Sequence, residues 1–175
     1  MTIETNSVAL GSDHRGVKLK NYIYDYLVPN TDEEPTKFNI SVIEDVGAYN
    51  EKSVDYPDIV HEVANYLEFQ SHGILICGSG HGVTMAANRH KHVRAANCRT
   101  VKDVEMARKH NNINCLCLGA DYVKQKDVWK MVQTFFNTQF EGGRHLTRLK
   151  KIWPMKLLKS NKPEINSIKY LLVFV

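Results

Sequence analysis

The sequence predicts an α/β fold, a three-layer, doubly wound sheet of five parallel strands flanked by helices. Three observations carry this expectation. Short apolar runs rich in β-branched residues alternate with longer segments of helical periodicity, the pattern of successive βαβ units. The most continuously apolar run of the centre, Gly73 to Cys77, suits a parallel strand buried on both faces. The 175 residues are 43% hydrophobic, with 23 Lys plus Arg against 19 Asp plus Glu, the profile of one soluble globular domain.

Val8 to Ser12 reads as the first strand. After the polar turn at Asp13 to Gly16, the apolar positions Val17, Leu19, Ile23, Tyr26 and Leu27 share one face of a helix that ends before Pro29. Residues 28 to 39 are turn-rich and acidic and form a surface loop before a strand at Ile40 to Val46. Pro57 sits in the first turn of the next helix, where its missing N–H costs nothing, and that helix runs to about Phe69. The third strand, Gly73 to Cys77, passes through GSGHG into a short helix at Val83 to Asn88. A fourth strand at Val93 to Ala96, a helix at Val101 to His110, a fifth strand at Cys115 to Gly119 and a helix at Lys124 to Thr138 complete the series. Ligands of such sheets bind outside the carboxyl ends of the strands. That rule selects the loops at Ser12 to Arg15, at Cys77 to Gly82 and after Leu118.

Composition excludes several classes of function. The longest apolar run falls short of the roughly 20 residues of a membrane span, and the N-terminus lacks a basic region followed by a hydrophobic stretch. The net charge of +4 sits in the tail, where Lys150, Lys151, Lys156, Lys159, Lys162 and Lys169 face Glu164 alone. A basic face for nucleic acid is therefore not expected. Cys77, Cys98, Cys115 and Cys117 form no CxxC and have no companion at zinc-finger spacing, which fits a reducing cytosol. Cys115 and Cys117 would share one face of a strand as small hydrophobes.

Chemistry concentrates in the loops. Cys77-Gly78-Ser79-Gly80-His81-Gly82 turns a strand end into a helix through three alternate glycines, which frees backbone N–H groups to face an anion. The spacing matches neither the dinucleotide nor the P-loop signature; a tight structural turn is the alternative. Cys77 would lie at the mouth of this nest, where amide dipoles favour thiolate over thiol, although a strand-end cysteine can equally be inert packing. Asp13 and His14 close the first strand, suited to sugar hydroxyls and a phosphate respectively, with a helix cap as the alternative for Asp13. Arg108 and Lys109 suit a helix C-terminus whatever the function, whereas His110 offers proton transfer near neutral pH. Arg144 and Arg148 lie one helical turn apart, so their guanidinium groups could converge on a dianion or form surface salt bridges. Gly142 and Gly143 suggest a bend that aims the pair inward.

Taken together, GSDHRG, DVGAYNEKSVDYPD, GILICGSGHGVTMAANR, ARKHNNIN and FEGGRHLTR, in this order over roughly residues 7 to 150, resemble the type B ribose-5-phosphate isomerases. Galactose-6-phosphate and allose-6-phosphate isomerases share the scaffold. The resemblance implies a Rossmann-like subunit, a homodimer or tetramer, no metal or organic cofactor, and interconversion of ribose 5-phosphate and ribulose 5-phosphate; with the cysteine usage, a cytoplasmic protein is expected. It implies Cys77 as the base at C2 and the loop Gly78, Ser79, Gly80, His81, Gly82 as the oxyanion cradle, with Ser79 relaying a proton between O1 and O2. A branch of the family carries a Glu base where this chain has Val83. His110 matches the residue that assists ring opening, Asn111 a substrate contact beside it, and both are supplied by the neighbouring subunit. Asp13 and Tyr56 match sugar contacts; His14, Arg144 and Arg148 match phosphate ligands.

Two positions depart from the family pattern. Asp121 replaces an Arg that helps to hold the phosphate, and His81 stands where a small or uncharged residue is usual. The expected organisation is an isomerase domain over residues 1–150 and a basic, apolar extension over 151–175, in which Pro154 interrupts the last helix and YLLVFV is β-prone. Asp121 and the tail also motivate a catalytically weak sugar-phosphate binder as the alternative to an enzyme.

Overall fold

The computed structural model describes residues 6–28, 40–67 and 72–152. The expectations for the loop at 28–39, for the end of the second helix and for Pro154 and YLLVFV fall largely or wholly outside these residues. Five strands are present: β1 (Asn6–Ser12), β2 (Ile40–Asp45), β3 (His72–Cys77), β4 (Ala95–Asn97) and β5 (Cys115–Gly119). They pair in parallel in the order β2-β1-β3-β5-β4. The chain moves one way from β1 to β2, then crosses β1 to form β3 on its other side. That switch point puts the ends of β1 and β3 side by side, with Ser12 opposite Ile76.

Six helices complete the described fold: α1 (Val17–Leu27), α2 (Tyr56–Tyr66), α3 (His81–Ala87), α4 (Val101–Asn111), α5 (Gln125–Asn137) and α6 (Gly143–Leu149). Strand alternation builds the three layers. Val8, Leu10, Ile74, Ile76, Leu116 and Leu118 face one way and pack with Ile23, Leu27, Val104, Met131 and Phe135 of α1, α4 and α5. Ala9, Leu75, Cys77, Cys115 and Cys117 face the other way and pack with Val60, Val63, Val83 and Ala87 of α2 and α3. Cys115 and Cys117 are therefore fully buried small hydrophobes on one face. The Cys115 thiol is pushed well above its ordinary range by a hydrogen bond with the Cys117 thiol and by burial. Phe135 is fully buried, and truncating such a ring costs about 3–5 kcal/mol.

Two boundaries differ from the sequence-based expectation. The short helix begins at His81 rather than Val83, because Gly80 takes a positive φ of 78° and its carbonyl already accepts from Thr84 N–H. The fourth strand begins at Ala95 rather than Val93. Val93 N–H closes a turn onto the His90 carbonyl and Arg94 N–H donates to Asn114 Oδ1 at 2.7 Å, so neither is free for the sheet.

Lys20 adds a polar element that periodicity did not reveal. It is fully buried on α1, and its ammonium is paired with both carboxylate oxygens of Asp45 at the end of β2. Asp45 Oδ1 also accepts from Gly47 N–H at 2.9 Å. Gly47 in turn accepts from Ser12 N–H, and Ala48 N–H donates back to the Ser12 carbonyl, both at 2.6 Å. This chain of bonds locks the loop after β2 to the end of β1, beside the switch point.

Candidate active site

The glycine loop leaves β3 and wraps Cys77. Gly80 N–H donates to Cys77 Sγ at 3.1 Å, an amide dipole aimed at the sulfur. Cys77 is 4% exposed, with Leu75 and Val83 in the apolar cluster behind it. Val83, at the position of the alternative Glu base, is itself buried and serves packing. β5 and its following turn hold the loop from the other side: Ala120 N–H donates to the Cys77 carbonyl at 2.9 Å and Asp121 N–H to the Gly78 carbonyl at 3.0 Å.

The loops that flank it come from β1 and from the segment before α2. Asp13 is buried, and its Oδ1 accepts from Arg15 N–H at 2.9 Å and Gly16 N–H at 3.0 Å, so one carboxylate oxygen does serve the turn into α1. His14 Nδ1 accepts from Val54 N–H at 3.4 Å, which leaves Nε2 as the protonated, donating nitrogen of the neutral ring. Tyr56 opens α2, and its ring lies so close to Gly82 that a Cβ there would sit 2.7 Å from the ring. Thus Cys77, Ser79, Asp13, His14 and Tyr56 belong to adjoining loops at the carboxyl end of the sheet.

The structure resolves the environment of the two unusual residues. Asp121 Oδ2 receives a 2.6 Å ion pair from Arg15 Nη2, so its charge is compensated by a cation 106 residues earlier in the chain. The Arg15 guanidinium lies against Gly78, the first glycine of the loop. Arg15 and Asp121 line a cavity of about 280 Å³ with His14, Lys18 and Glu51. His81 is exposed; its Nδ1 lies 3.0 Å from Asn97 Nδ2 and its Nε2 3.4 Å from Arg99 Nη2. Asn97 Nδ2 also donates to the Ser79 carbonyl at 3.2 Å, which ties β4 to the loop.

The remaining predicted residues lie elsewhere on the chain. His110 and Asn111 end α4, and with His145, Arg148, Leu149 and Ile152 they line a separate cavity of about 330 Å³. His110 stacks on His145 with ring centroids 4.1 Å apart and planes within 6°. Burial foremost, then His110, Arg144 and Arg148, lower the proton affinity of His145, while Glu141 acts in the opposite direction. Gly142 and Gly143 do bend the chain, with φ of 67° and 52°. The bend turns His145 inward, however, and leaves Arg144 and Arg148 exposed, so within the single chain it does not aim the pair inward as expected. His14 and Arg148 therefore occupy different cavities of one chain. Arg15, Asn97 and Arg99 were missed from the sequence; the one available signal was Asp121, a charge in need of a partner.

A thiol under a backbone amide, with a carboxylate, an imidazole and guanidinium groups on neighbouring strand-end loops, has the makeup of an enzyme site suited to a small anionic substrate. Comparison with known proteins makes the assignment specific. The sequence profile of the Ribose/Galactose Isomerase family matches residues 8–152. A Rickettsia conorii protein assigned as a sugar phosphate isomerase is 41% identical over 152 residues, spanning 86% of this chain and 99% of the relative. Ribose-5-phosphate isomerase B of Escherichia coli is 34% identical over 148 residues, spanning 83% and 93%. The crystal structure of ribose-5-phosphate isomerase B from Mycoplasma genitalium with bound ribulose-5-phosphate superposes with a TM-score of 0.74 at 38% identity, covering 83% of this chain and 93% of that one. The chain belongs to the ribose/galactose isomerase family, and it is an isomerase. Among the described residues, no helix is long and apolar enough to cross a membrane.

Proposed function

We propose that this chain interconverts ribose 5-phosphate and ribulose 5-phosphate through an enediolate, with Cys77 as the base. The observation that carries this reading is the Gly80 N–H on Cys77 Sγ within the glycine loop at the end of β3. The thiolate takes the proton from C2 of the open-chain aldose, electrons move onto the carbonyl oxygen at C1, and the same proton returns to C1. Amides of Gly78, Ser79, Gly80, His81 and Gly82 stabilise the developing oxyanion, and Ser79 relays a proton between O1 and O2. Asp13 and Tyr56 bind sugar hydroxyls, and His14 donates Nε2–H to the phosphate.

In this reading His110 opens the furanose ring and Asn111 contacts the substrate of a neighbouring subunit. The separate cavities of His14 and His110 support a site completed by two chains, with Arg144 and Arg148 joining the phosphate across the interface. The assembly is then a homodimer at least, and residues 151–175 are an extension beyond the catalytic domain. No metal or organic cofactor takes part in the chemistry.

A coupled assay of ribulose 5-phosphate formation with wild type and Cys77→Ala tests the base. The variant should lose more than about 10³-fold in kcat, the scale of proton-transfer catalysis; unchanged turnover removes Cys77 from that role. The family's galactose branch supports a second reading, a six-carbon sugar phosphate as preferred substrate. Comparing kcat/KM for ribose 5-phosphate, allose 6-phosphate and galactose 6-phosphate decides between them. Binding of ribose 5-phosphate by calorimetry without turnover of any of these sugars would instead indicate a sensor.

A further inference from the structure

Away from Cys77, three metal-ligating side chains converge from three segments. α4 delivers His110 at its C-terminus, α6 delivers His145, and the connection between α5 and α6 delivers Glu141. Their placement is fixed by structure around them. Thr100 and Asp103 close a capping box at the start of α4, Glu141 N–H donates to the Lys109 carbonyl at 3.0 Å, and the His145 side chain is 8% exposed. The two imidazole rings are stacked, and their Nε2 atoms lie 3.7 Å and 3.8 Å from the same oxygen, Glu141 Oε2.

These separations are too long for direct hydrogen bonds. They suit a bridging ion better than a bridging water. Ligand atoms on a tetrahedral ion at about 2.05 Å stand about 3.3 Å apart, whereas groups bridged tetrahedrally by a water at about 2.8 Å stand roughly 4.6 Å apart. Accepting the ion needs both His–Glu separations to contract by roughly 0.4 Å and the parallel rings to turn out of their stack so that both Nε2 lone pairs point at it; the half-exposed Glu141 and the partly exposed His110 have room for these movements. Two imidazoles and one carboxylate are also the donor set of open, three-ligand zinc sites. The adjoining cavity of about 330 Å³, which both histidines line, gives room for a water in the fourth position. Arg144, Arg148 and Lys109 oppose a dication here and, among the described residues at the site, Glu141 supplies the neutralising charge, so the affinity falls well below that of a closed structural site.

We propose that His110, Glu141 and His145 form a binding site for a first-row divalent cation of the zinc and cobalt type, and that its occupation inhibits the isomerase by removing His110 from ring opening. The binding site stands on its own geometry; the inhibition rests on the role of His110 proposed above. A metal held on Nε2 occupies the lone pair that proton transfer requires.

Chelator-treated full chain titrated with Co²⁺ alone, followed by visible absorption, tests the site. The expected result is the intense band of four-coordinate cobalt, saturating near one ion per chain at micromolar concentration and displaced by Zn²⁺. Glu141→Gln and His145→Ala should each weaken this binding at least tenfold; the first is a change on a half-exposed side chain and preserves the fold. Turnover of furanose ribose 5-phosphate should fall at least fivefold as the wild-type site fills and recover with chelator, and both variants should resist the same ion concentration. Absence of the cobalt band, or a band that neither variant weakens, overturns the site. Full cobalt occupancy with unchanged turnover overturns the inhibition. A wild type that binds cobalt through these residues yet isomerises no sugar supports the site and defeats the isomerase reading instead.

Discussion

Gly119 is the residue whose substitution most sharply tests the link between the end of β5 and the glycine loop. A Cβ at this position would lie 2.6 Å from the Ser79 carbonyl oxygen and 2.7 Å from its carbonyl carbon. Carbon–oxygen contacts begin near about 3.3 Å, so Gly119→Ala must push Ser79 back by roughly 0.7 Å. The neighbour is backbone, and no side-chain rotation can relieve the clash. Overpacking of this kind costs about 1–3 kcal/mol, equivalent to about 2–12 °C in Tm for a chain of this size. Catalysis should suffer more than stability. Ser79 lies between Gly78 and Gly80, whose N–H touches Cys77 Sγ, and a displacement approaching 1 Å costs about 10²-fold when reacting groups must align. We expect kcat for ribose 5-phosphate to fall roughly 10–100-fold at temperatures where the variant is folded. Gly73→Ala is the matched control: its Cβ would meet Leu67, Val63 and Cys115 side chains at 3.1–3.3 Å, at the far end of β3, and should lower Tm without lowering kcat. Wild-type kcat/KM in Gly119→Ala, or equal losses in both variants, would refute the placement of catalysis in this loop.

Other perturbations probe separate parts of the molecule. His72 is held neutral, its pKa lowered to about 4 by burial and by Arg108 and Arg94. The unfolded chain therefore takes the proton first, and stability should drain by roughly 3 kcal/mol as pH falls from about 6.5 to about 4. His72→Leu should flatten this decline; urea titrations showing the same acid slope in both proteins would contradict it. Arg15→Ala removes the half-exposed ion pair with Asp121, so we expect less than about 1 kcal/mol in stability. Its KM for ribose 5-phosphate should nevertheless rise about tenfold, since a guanidinium beside His14 and Gly78 is lost, and an unchanged KM would show that Arg15 serves Asp121 alone. Thr100→Ala breaks the capping box of α4 and should cost about 1 kcal/mol in thermal or urea denaturation. An unaltered midpoint would mean that α4 is held by its packing against α5.

Much of the architecture is written in local pattern. Alternation of β-branched runs with helical periodicity gives the strands and helices because each element needs one buried face, and those faces repeat every two or 3.6 residues. The glycine loop after β3 is equally legible, since alternate glycines at a strand end have few other uses. Boundaries at Val83 and Val93 shifted where a turn or a side-chain amide captured a backbone group, as Asn114 does with Arg94 N–H. Local pattern also placed Arg144 and Arg148 on one helical face, but which face meets the protein depends on α4, and there His145 won.

What the sequence alone determined is the class of fold, the candidate loops at the strand ends and the family, all properties of residues close together or in fixed order. Only the tertiary structure decided the strand order β2-β1-β3-β5-β4, the burial of Lys20 on Asp45, the pairing of Asp121 with Arg15 and the meeting of His110, Glu141 and His145. The two ion pairs bring together groups 25 and 106 positions apart in the chain. A contact of that range leaves no periodic trace in sequence, because its partner is chosen by how whole elements pack.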